Sequence, residues 1–232
     1  MISNTSIEQI RAYHASFDPT IGNWVIAGDV DQEAFMSAVK KYFTNGSGQV
    51  LKQVYHAPKT VELAHIHQHH EISAKQSVSL KMGHVIDMNI HHEDYLPLKL
   101  AIDALGGSFS ARLMRTVRDE DGLTYSVGSR LEGFGKSEVG AWYVYGEFSP
   151  KLLDQGITSI QKQLKDWKQH GIGQDELGER SQGAIGRYLV AQSVPSRIVS
   201  DVVSFLSHGF GADEVIQYPK RLEAITVDQV NH

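Results

Sequence analysis

A long amphipathic helix that directly follows a strand is the feature that most constrains the fold of this chain. Residues Val139 to Phe148 carry aromatic side chains in alternation, which is typical of a half-buried strand. Ser149 and Pro150 then fit an N-cap and a first helical position. Beyond them, apolar residues recur in steps of four and three, at Leu153, Ile157, Ile160, Leu164 and Trp167. This period predicts a helix with one apolar face that must pack against another layer.

Strands and helices alternate in blocks along the rest of the chain. Strand-like patterns with a period of two, or short apolar runs, occur at 24–27, 60–65, 77–82, 124–130 and 139–148. Helical patterns with capping residues or glycine stops begin near Ser6 and Asp29 or Asp31, and cover about 93–105, 108–122, 174–191, 195–208 and 212–224. The pattern predicts an α+β fold with a mostly antiparallel sheet, covered on one face by long helices.

Composition excludes several classes of protein. Lys and Arg number 22 against 27 Asp and Glu, a net charge of −5, which argues against nucleic acid as the main partner. There are 0 cysteines, so disulfides, thiolate nucleophiles and cysteine zinc sites are impossible. No apolar run approaches the ~20 residues that span a bilayer. We therefore expect neither nucleic-acid binding nor membrane insertion.

The segment from Leu105 to Gly128 is the strongest local signal. It predicts a helix, a glycine break, a second helix, a tight turn at Gly122 and a strand. Arg118 would lie in the last turn of the second helix, where a cation suits the helix dipole, and Tyr125 near the start of the strand. On this pattern alone, Arg118 is interpreted as a charge at a helix C-terminus and Tyr125 as an aromatic residue of the sheet.

The same segment resembles the second half of pitrilysin-type (insulinase-like) zinc peptidases, the family that includes mitochondrial processing peptidases. The family pattern runs Leu-Gly-Gly, Ser-Arg-Leu, Arg-Glu, Gly-Leu and Tyr-Ser-Val, and Asp119 stands here where the family usually has Glu. Similarity extends to 23–31, 140–150 and 171–179, so that it covers nearly the whole chain.

In that family, two homologous halves enclose a proteolytic chamber, and the first half binds zinc through an H-x-x-E-H helix. This chain has no such motif, because no His follows Glu71 or Glu93 at the required spacing. The resemblance therefore implies a non-zinc half, inactive alone, that forms one wall of the chamber. Arg118 and Tyr125 have the family's seven-residue spacing and are expected to contact a peptide or unfolded polypeptide and stabilise its transition state.

Partners and cofactor follow from the same resemblance. Zinc is expected in the homologous half, on the same polypeptide or a separate subunit, and none is expected natively in this chain. A non-catalytic scaffold or partner-binding subunit of the same family is the alternative function. Similar proteins often occur in the bacterial periplasm or cell envelope, although a cysteine-free chain suits other compartments as well.

The resemblance also predicts the domain organisation. Residues 1–46 are expected to be the C-terminal tail of the preceding half, and 47–232 a second half that is truncated at its C-terminus. Ser6–Ile10 and Thr226–Val230 match in residue type at every position and both contain a capping box, as expected of a duplicated protein.

Histidines offer a rival site. The sequence has 12, and His65, His67 and His69 would share one face of a strand, a spacing that allows metal binding. A solvent-facing polar strand is the simpler interpretation, so these three are weak metal candidates. Ser108 and Ser110 lack the G-x-S-x-G motif of many serine hydrolases.

Overall fold

The structure is a computed structural model that describes residues 5–16, 22–43, 66–136 and 138–232. The chain divides into two compact units, one of residues 1–56 and 192–215, the other of 57–191 and 216–232. The helices are α1 Ile7–Ala15, α2 Gln32–Phe43, α3 Tyr95–Ile102, α4 Leu153–His170, α5 Gln174–Ala191, α6 Pro195–Ser207, α7 Glu214–Glu223 and α8 Val227–Asn231. The strands are β1 Val78–Ile86, β2 Thr124–Glu132 and β3 Gly140–Phe148. Two π-helical segments cover Asp103–Gly107 and Met114–Glu120.

Capping residues fix the helix starts in the first unit. The Ser6 hydroxyl accepts from the Gln9 amide, and the Gln9 side chain accepts from the Ser6 amide, which confirms the predicted capping box of α1. One Asp31 oxygen accepts from the amides of Glu33 at 2.8 Å and Ala34 at 3.0 Å, which selects Asp31 rather than Asp29 as the cap of α2.

The second unit is built on a three-stranded antiparallel sheet in the order β1-β3-β2 among the described residues. β1 pairs with β3 in an unbroken register from Val78 opposite Phe148 to Ile86 opposite Gly140. β2 pairs with the other edge of β3. Val78, Leu80 and Met82 are half-buried while Ser79 and Lys81 are exposed, as the period of two predicts.

Helices cover one face of this sheet. Val127, Val144 and Phe148 form a buried core with residues of α3, both π segments and α4. Gly156 lets the ring of Phe148 approach α4, because a Cβ at that position would lie 2.2 Å from the ring. This core explains the apolar face predicted for α4, since it includes Ile160 and since Leu153, Leu164 and Trp167 pack against it.

The opposite sheet face bears charged and aromatic side chains. The Lys81 ammonium lies 3.6 Å from the ring centre of Tyr143 and 3.4 Å from the Glu132 carboxylate. The Arg130 guanidinium lies 5.3 Å from the ring centre of Tyr145. A hydrogen bond from Tyr143, together with Lys81, lowers the pKa of Glu132. The two faces therefore have different compositions.

A second core joins the C-terminal helices. Leu96 and Leu100 of α3 pack with Leu177 of α5 and Leu222 of α7, and α8 adds Val227 and Val230, which are half-buried. The Asn231 side chain accepts from the Ile172 amide at 2.8 Å and donates to the Ile172 carbonyl at 3.0 Å. α8 is therefore fixed to the unit at both ends, and its capping box at Thr226 and Gln229 is present as predicted.

Three local predictions are wrong. Residues 23–27 form no strand. α4 begins at Leu153 rather than at Pro150, because residues 150–152 form a turn closed by a hydrogen bond from the Leu152 amide to the Ser149 carbonyl. The helix predicted at 93–105 is α-helical over Tyr95–Ile102 but continues as a π segment through Gly107, and the helix predicted after Gly107 is largely π-helical. The predicted strand at 60–65 lies outside the described residues.

The predicted fold class is nevertheless confirmed: the protein combines helices with an antiparallel sheet. Within the part of the chain that the structure describes, we find no helix with the length and apolar character needed to cross a bilayer.

Candidate functional site

The turn after the second π segment fixes the backbone between Arg118 and Tyr125. Gly122 has a φ of 65°, and its amide donates to the Arg118 carbonyl at 3.1 Å. The Leu123 amide donates to the Val117 carbonyl at 3.0 Å. The first is the bond of an αL C-cap, with glycine at the left-handed position. The second π segment therefore ends in a turn that the sequence specifies. Arg118 lies in the last helical turn of that segment, as predicted.

The Arg118 side chain lies at the protein surface and is about one-third exposed. Its Nε lies 3.7 Å from Oδ1 of Asp119, and its guanidinium carbon lies 5.5 Å from the ring centre of Phe109. The aromatic ring and the carboxylate both favour a cation at this position. Among the described residues the side chain has these two contacts, which leave donors of the guanidinium for a further acceptor.

Tyr125 lies in a β-bulge. Thr124 pairs with Phe148 and Ser126 pairs with Glu147, so Tyr125 is an extra residue between two consecutive pairs. The Thr124 hydroxyl donates to the Glu147 carbonyl and accepts from the Ser126 amide, which holds both sides of the bulge. The Tyr125 side chain is 94% exposed. A strand position with so little burial does not serve the sheet core.

The sequence reasoning did not single out Arg112. Its side chain is largely buried and fully engaged by neighbours, unlike the exposed side chain of Tyr125. Its Nε and Nη2 donate to the two carboxylate oxygens of Glu176 at 3.1 and 2.5 Å. Nη2 also donates to the Gly171 carbonyl at 2.8 Å, and the guanidinium lies 4.7 Å from the Trp167 ring centre. This side chain connects the helical residues just before the second π segment to α4 and α5, which is a structural role.

Gly106 allows the first π segment to approach the sheet closely. A Cβ at this position would lie 2.4 Å from the Ser129 amide nitrogen, and at Gly107 it would lie 2.7 Å from an Asp103 carboxylate oxygen. Leu105 and Ala111 on either side are fully buried. The Gly-Gly pair is therefore more than a helix stop, since it permits a backbone contact with β2.

Sequence reasoning also missed Phe109, which lies in the loop between the π segments and is 78% exposed. The sequence signal that could have found it is an aromatic residue between two serines, directly after the glycine pair, that no apolar period explains. π-helical segments are rare and often occur at functional sites, and two of them flank this loop.

The structure describes two of the three histidines that are metal candidates. His67 and His69 lie in residues 66–72, an exposed segment without a strand, and His65 lies outside the described residues. No group of three His, Asp or Glu side chains is arranged to hold a metal ion within residues 5–16, 22–43, 66–136 and 138–232. A site that includes His65 stays a prediction.

Comparison with known proteins identifies the family. Residues 4–182 match the family described as "Peptidase M16 inactive domain", so the chain belongs to that family and the resemblance seen in the sequence is confirmed. It is 27% identical over 233 residues to the "Uncharacterized zinc protease YmxG" of Bacillus subtilis (strain 168), which covers 97% of this chain and 53% of the relative. It is 22% identical over 180 residues to the "Probable inactive metalloprotease YmfF" of the same strain, covering 77% of this chain and 41% of the relative.

A solved structure supports the fold. The peptidase M16 inactive domain from Pseudomonas fluorescens superposes with a TM-score of 0.75 and 22% identity, covering 99% of this chain and 54% of that chain. The chain thus spans about half the length of the relatives that it matches. It is the inactive domain of a peptidase M16 protein, and relatives of that protein are named zinc proteases.

Proposed function

We propose that this chain completes the proteolytic chamber of a zinc-dependent endopeptidase, in which Arg118 and Tyr125 contact the peptide that is cleaved. The observation that supports this most directly is the exposed, bulged position of Tyr125, seven residues after Arg118. A tyrosine that contributes little to the core at a bulge suits a role toward a ligand.

The zinc belongs to the other half in this proposal. The sequence has no H-x-x-E-H motif, and the described residues hold no group of metal ligands. The partner, on the same polypeptide or a separate subunit, supplies the metal and the general base. Residues 1–46 are the tail of that preceding half, and 47–232 belong to the second half.

The chemistry of the two side chains follows from their donors. The Tyr125 hydroxyl donates a hydrogen bond to the carbonyl oxygen of the scissile peptide bond, and this bond strengthens as negative charge develops on the oxygen. The Arg118 guanidinium donates to an adjacent substrate carbonyl, which holds the peptide in both the ground state and the transition state. Neither residue cleaves a peptide without the other half.

The scaffold function is the second candidate. What supports it is the match of 77% of this chain to the relative named "Probable inactive metalloprotease YmfF". In that function the partner binds the chain without being cleaved. The presence or absence of H-x-x-E-H in the preceding half, or in a neighbouring gene, distinguishes the two candidates.

A Tyr125→Phe variant tests the proposal. In the full-length protein, or in the complex with the zinc-bearing half, we expect kcat for a quenched fluorescent peptide to fall ~10²–10³-fold, with a much smaller change in KM. Tyr42→Phe is the matched control, because Tyr42 is also highly exposed but lies on α2. Wild-type turnover by Tyr125→Phe would refute the role of Tyr125, whereas peptide binding without turnover by the unsubstituted protein would favour the scaffold function.

A further inference from the structure

An exposed aromatic ring on a well-held loop is the feature that the proposed function leaves unused. Phe109 is 78% exposed, although burial of a phenylalanine side chain stabilises a folded protein. Its neighbours Leu105, Ala111 and Leu113 are fully buried, so the chain on both sides of the loop is anchored in the core. The loop therefore presents the ring to solvent on a fixed support.

Arg180 of α5 holds this loop. Its Nη1 donates to the hydroxyls of Ser108 at 3.1 Å and Ser110 at 2.8 Å, and its Nη2 donates to the Ser110 carbonyl at 2.7 Å. Its Nε is buried without a hydrogen-bond partner among the described atoms. Burying a guanidinium nitrogen in this way is costly, which indicates that the three bonds to the loop determine where the side chain lies.

The ring also contacts the Arg118 side chain. The Arg118 guanidinium carbon lies 5.5 Å from the ring centre, within the range of a cation–π interaction. An apolar ring beside a guanidinium offers a peptide two different contacts: a flat apolar surface for a side chain and donors for a backbone carbonyl. Any peptide backbone held by Arg118 brings one of its side chains close to Phe109.

We propose that Phe109 is a specificity-determining residue that contacts an apolar, preferably aromatic, side chain of the peptide held by Arg118, and that Arg180 positions it. This inference rests on the proposed function as far as Arg118 binds a peptide. It adds a preference for the substrate's side chain, which Arg118 and Tyr125 cannot supply because they bind backbone atoms.

The test compares two labelled peptides with the full-length protein or the complex with the zinc-bearing half. The peptides are identical except that one carries Phe and the other Ser at one position, and this position is scanned across the residues flanking the cleaved bond. Fluorescence anisotropy gives the Kd of each peptide, and cleavage of the quenched versions gives KM and kcat. We expect the wild-type protein to prefer the Phe peptide about tenfold or more at one position.

Phe109→Ala should remove this preference by weakening the Phe peptide alone, with KM rising and kcat little changed. Phe109→Leu should keep an intermediate preference, because it retains an apolar surface. Arg180→Ala should reduce the preference in the same direction, and Arg180→Lys should restore part of it by donating to Ser110. Leu189→Ala is the control, since Leu189 is also an exposed apolar residue on α5.

Two results overturn the inference: no binding of either peptide, or a Phe109→Ala variant whose two Kd values keep their wild-type ratio. Failure of the proposed function gives a different pattern. If Tyr125→Phe and Arg118→Ala keep wild-type cleavage while Phe109→Ala abolishes the preference in Kd, the catalytic roles are wrong and the Phe109 contact stands.

Discussion

Arg112 and Arg118 lie six positions apart in one helical stretch, and their environments are opposite. Arg112 and its partner Glu176 have side chains only 16% and 23% exposed, with two hydrogen bonds between them. Arg118 reaches the surface, where its contacts are an adjacent carboxylate at 3.7 Å and an exposed ring. The same residue type thus serves to connect elements at one position and keeps donors available at the other. Stability and activity should therefore respond to different substitutions.

The largest effect on stability is expected from Arg112→Ala. The change leaves the Glu176 carboxylate and the Gly171 carbonyl without their donor in a site that is mostly closed to water. Leaving a buried partner uncompensated costs about 3–5 kcal/mol, and the partial exposure here lowers our expectation to about 2–3 kcal/mol. Urea unfolding followed by circular dichroism measures this loss.

The matched variant is Arg118→Ala, for which we expect a change in the free energy of unfolding below about 0.5 kcal/mol, as is usual for surface substitutions. A loss of equal size in both variants would contradict the distinction between the two arginines.

Gly106→Ala is expected to have the next largest effect. The added methyl group would lie 2.4 Å from the Ser129 amide nitrogen, so that the first π segment or β2 must move. Overpacking of this kind typically costs about 1–3 kcal/mol. Because the shift also moves the loop between the π segments, activity in the assembled protein should fall as well.

Thermal unfolding and peptide cleavage measure the two effects of this variant. Gly178→Ala on α5 is the control, since a Cβ there meets no atom within 4 Å. It should preserve stability or raise it slightly, because alanine favours helices more than glycine does. Equal stability of the two variants would mean that the close approach at Gly106 is relaxed at little cost.

Arg118→Ala should have a smaller effect, and on binding and activity rather than on folding. Losing a charged hydrogen bond to a substrate carbonyl costs about 1.5–3 kcal/mol, or about 10- to 150-fold in kcat/KM, shared between KM and kcat. Cleavage of a quenched peptide by the assembled protein measures it, and Arg115→Ala, at a more exposed arginine in the same π segment, is the control. An unchanged kcat/KM would assign Arg118 a structural or incidental role.

The sequence predicted those features that depend on residues close together in the chain, and it did not predict those that depend on tertiary contacts. Both capping boxes form as predicted, because each depends on a serine or threonine and a glutamine three residues apart. Burial was not predictable in the same way: Ile7 and Ile10 of α1 are exposed, while the equivalent Val227 and Val230 of α8 are half-buried in a core. What differs between these helices is the tertiary surroundings, which five residues of sequence do not encode.

The candidate site shows the same difference between local and tertiary determinants. Gly122 signalled the turn that places Arg118, because a left-handed residue at a helix end favours glycine. The bulge at Tyr125 depends on how β2 pairs with β3, and the close approach of the first π segment to β2 depends on Gly106. These are contacts between residues distant in sequence, so a helical period in residues 93–122 could not reveal them. Phe109 had a local signal, since no apolar period explains it, but its contact with Arg118 and the bonds from Arg180 to its neighbours depend on the fold.

The smallest expected effect concerns the histidines. Three imidazole nitrogens bind zinc tightly only when they converge at about 2.0–2.1 Å from the ion and are oriented by further hydrogen bonds. Residues 66–72 form an exposed segment without a strand, so His67 and His69 are not held in such an arrangement. We therefore expect calorimetric titration of the chain with zinc to give no saturable site, and the variant with His65, His67 and His69 all changed to Ala to give the same trace. A stoichiometric site that this triple variant abolishes would show that these histidines bind a metal, and would give the chain a metal centre of its own in addition to Arg118 and Tyr125.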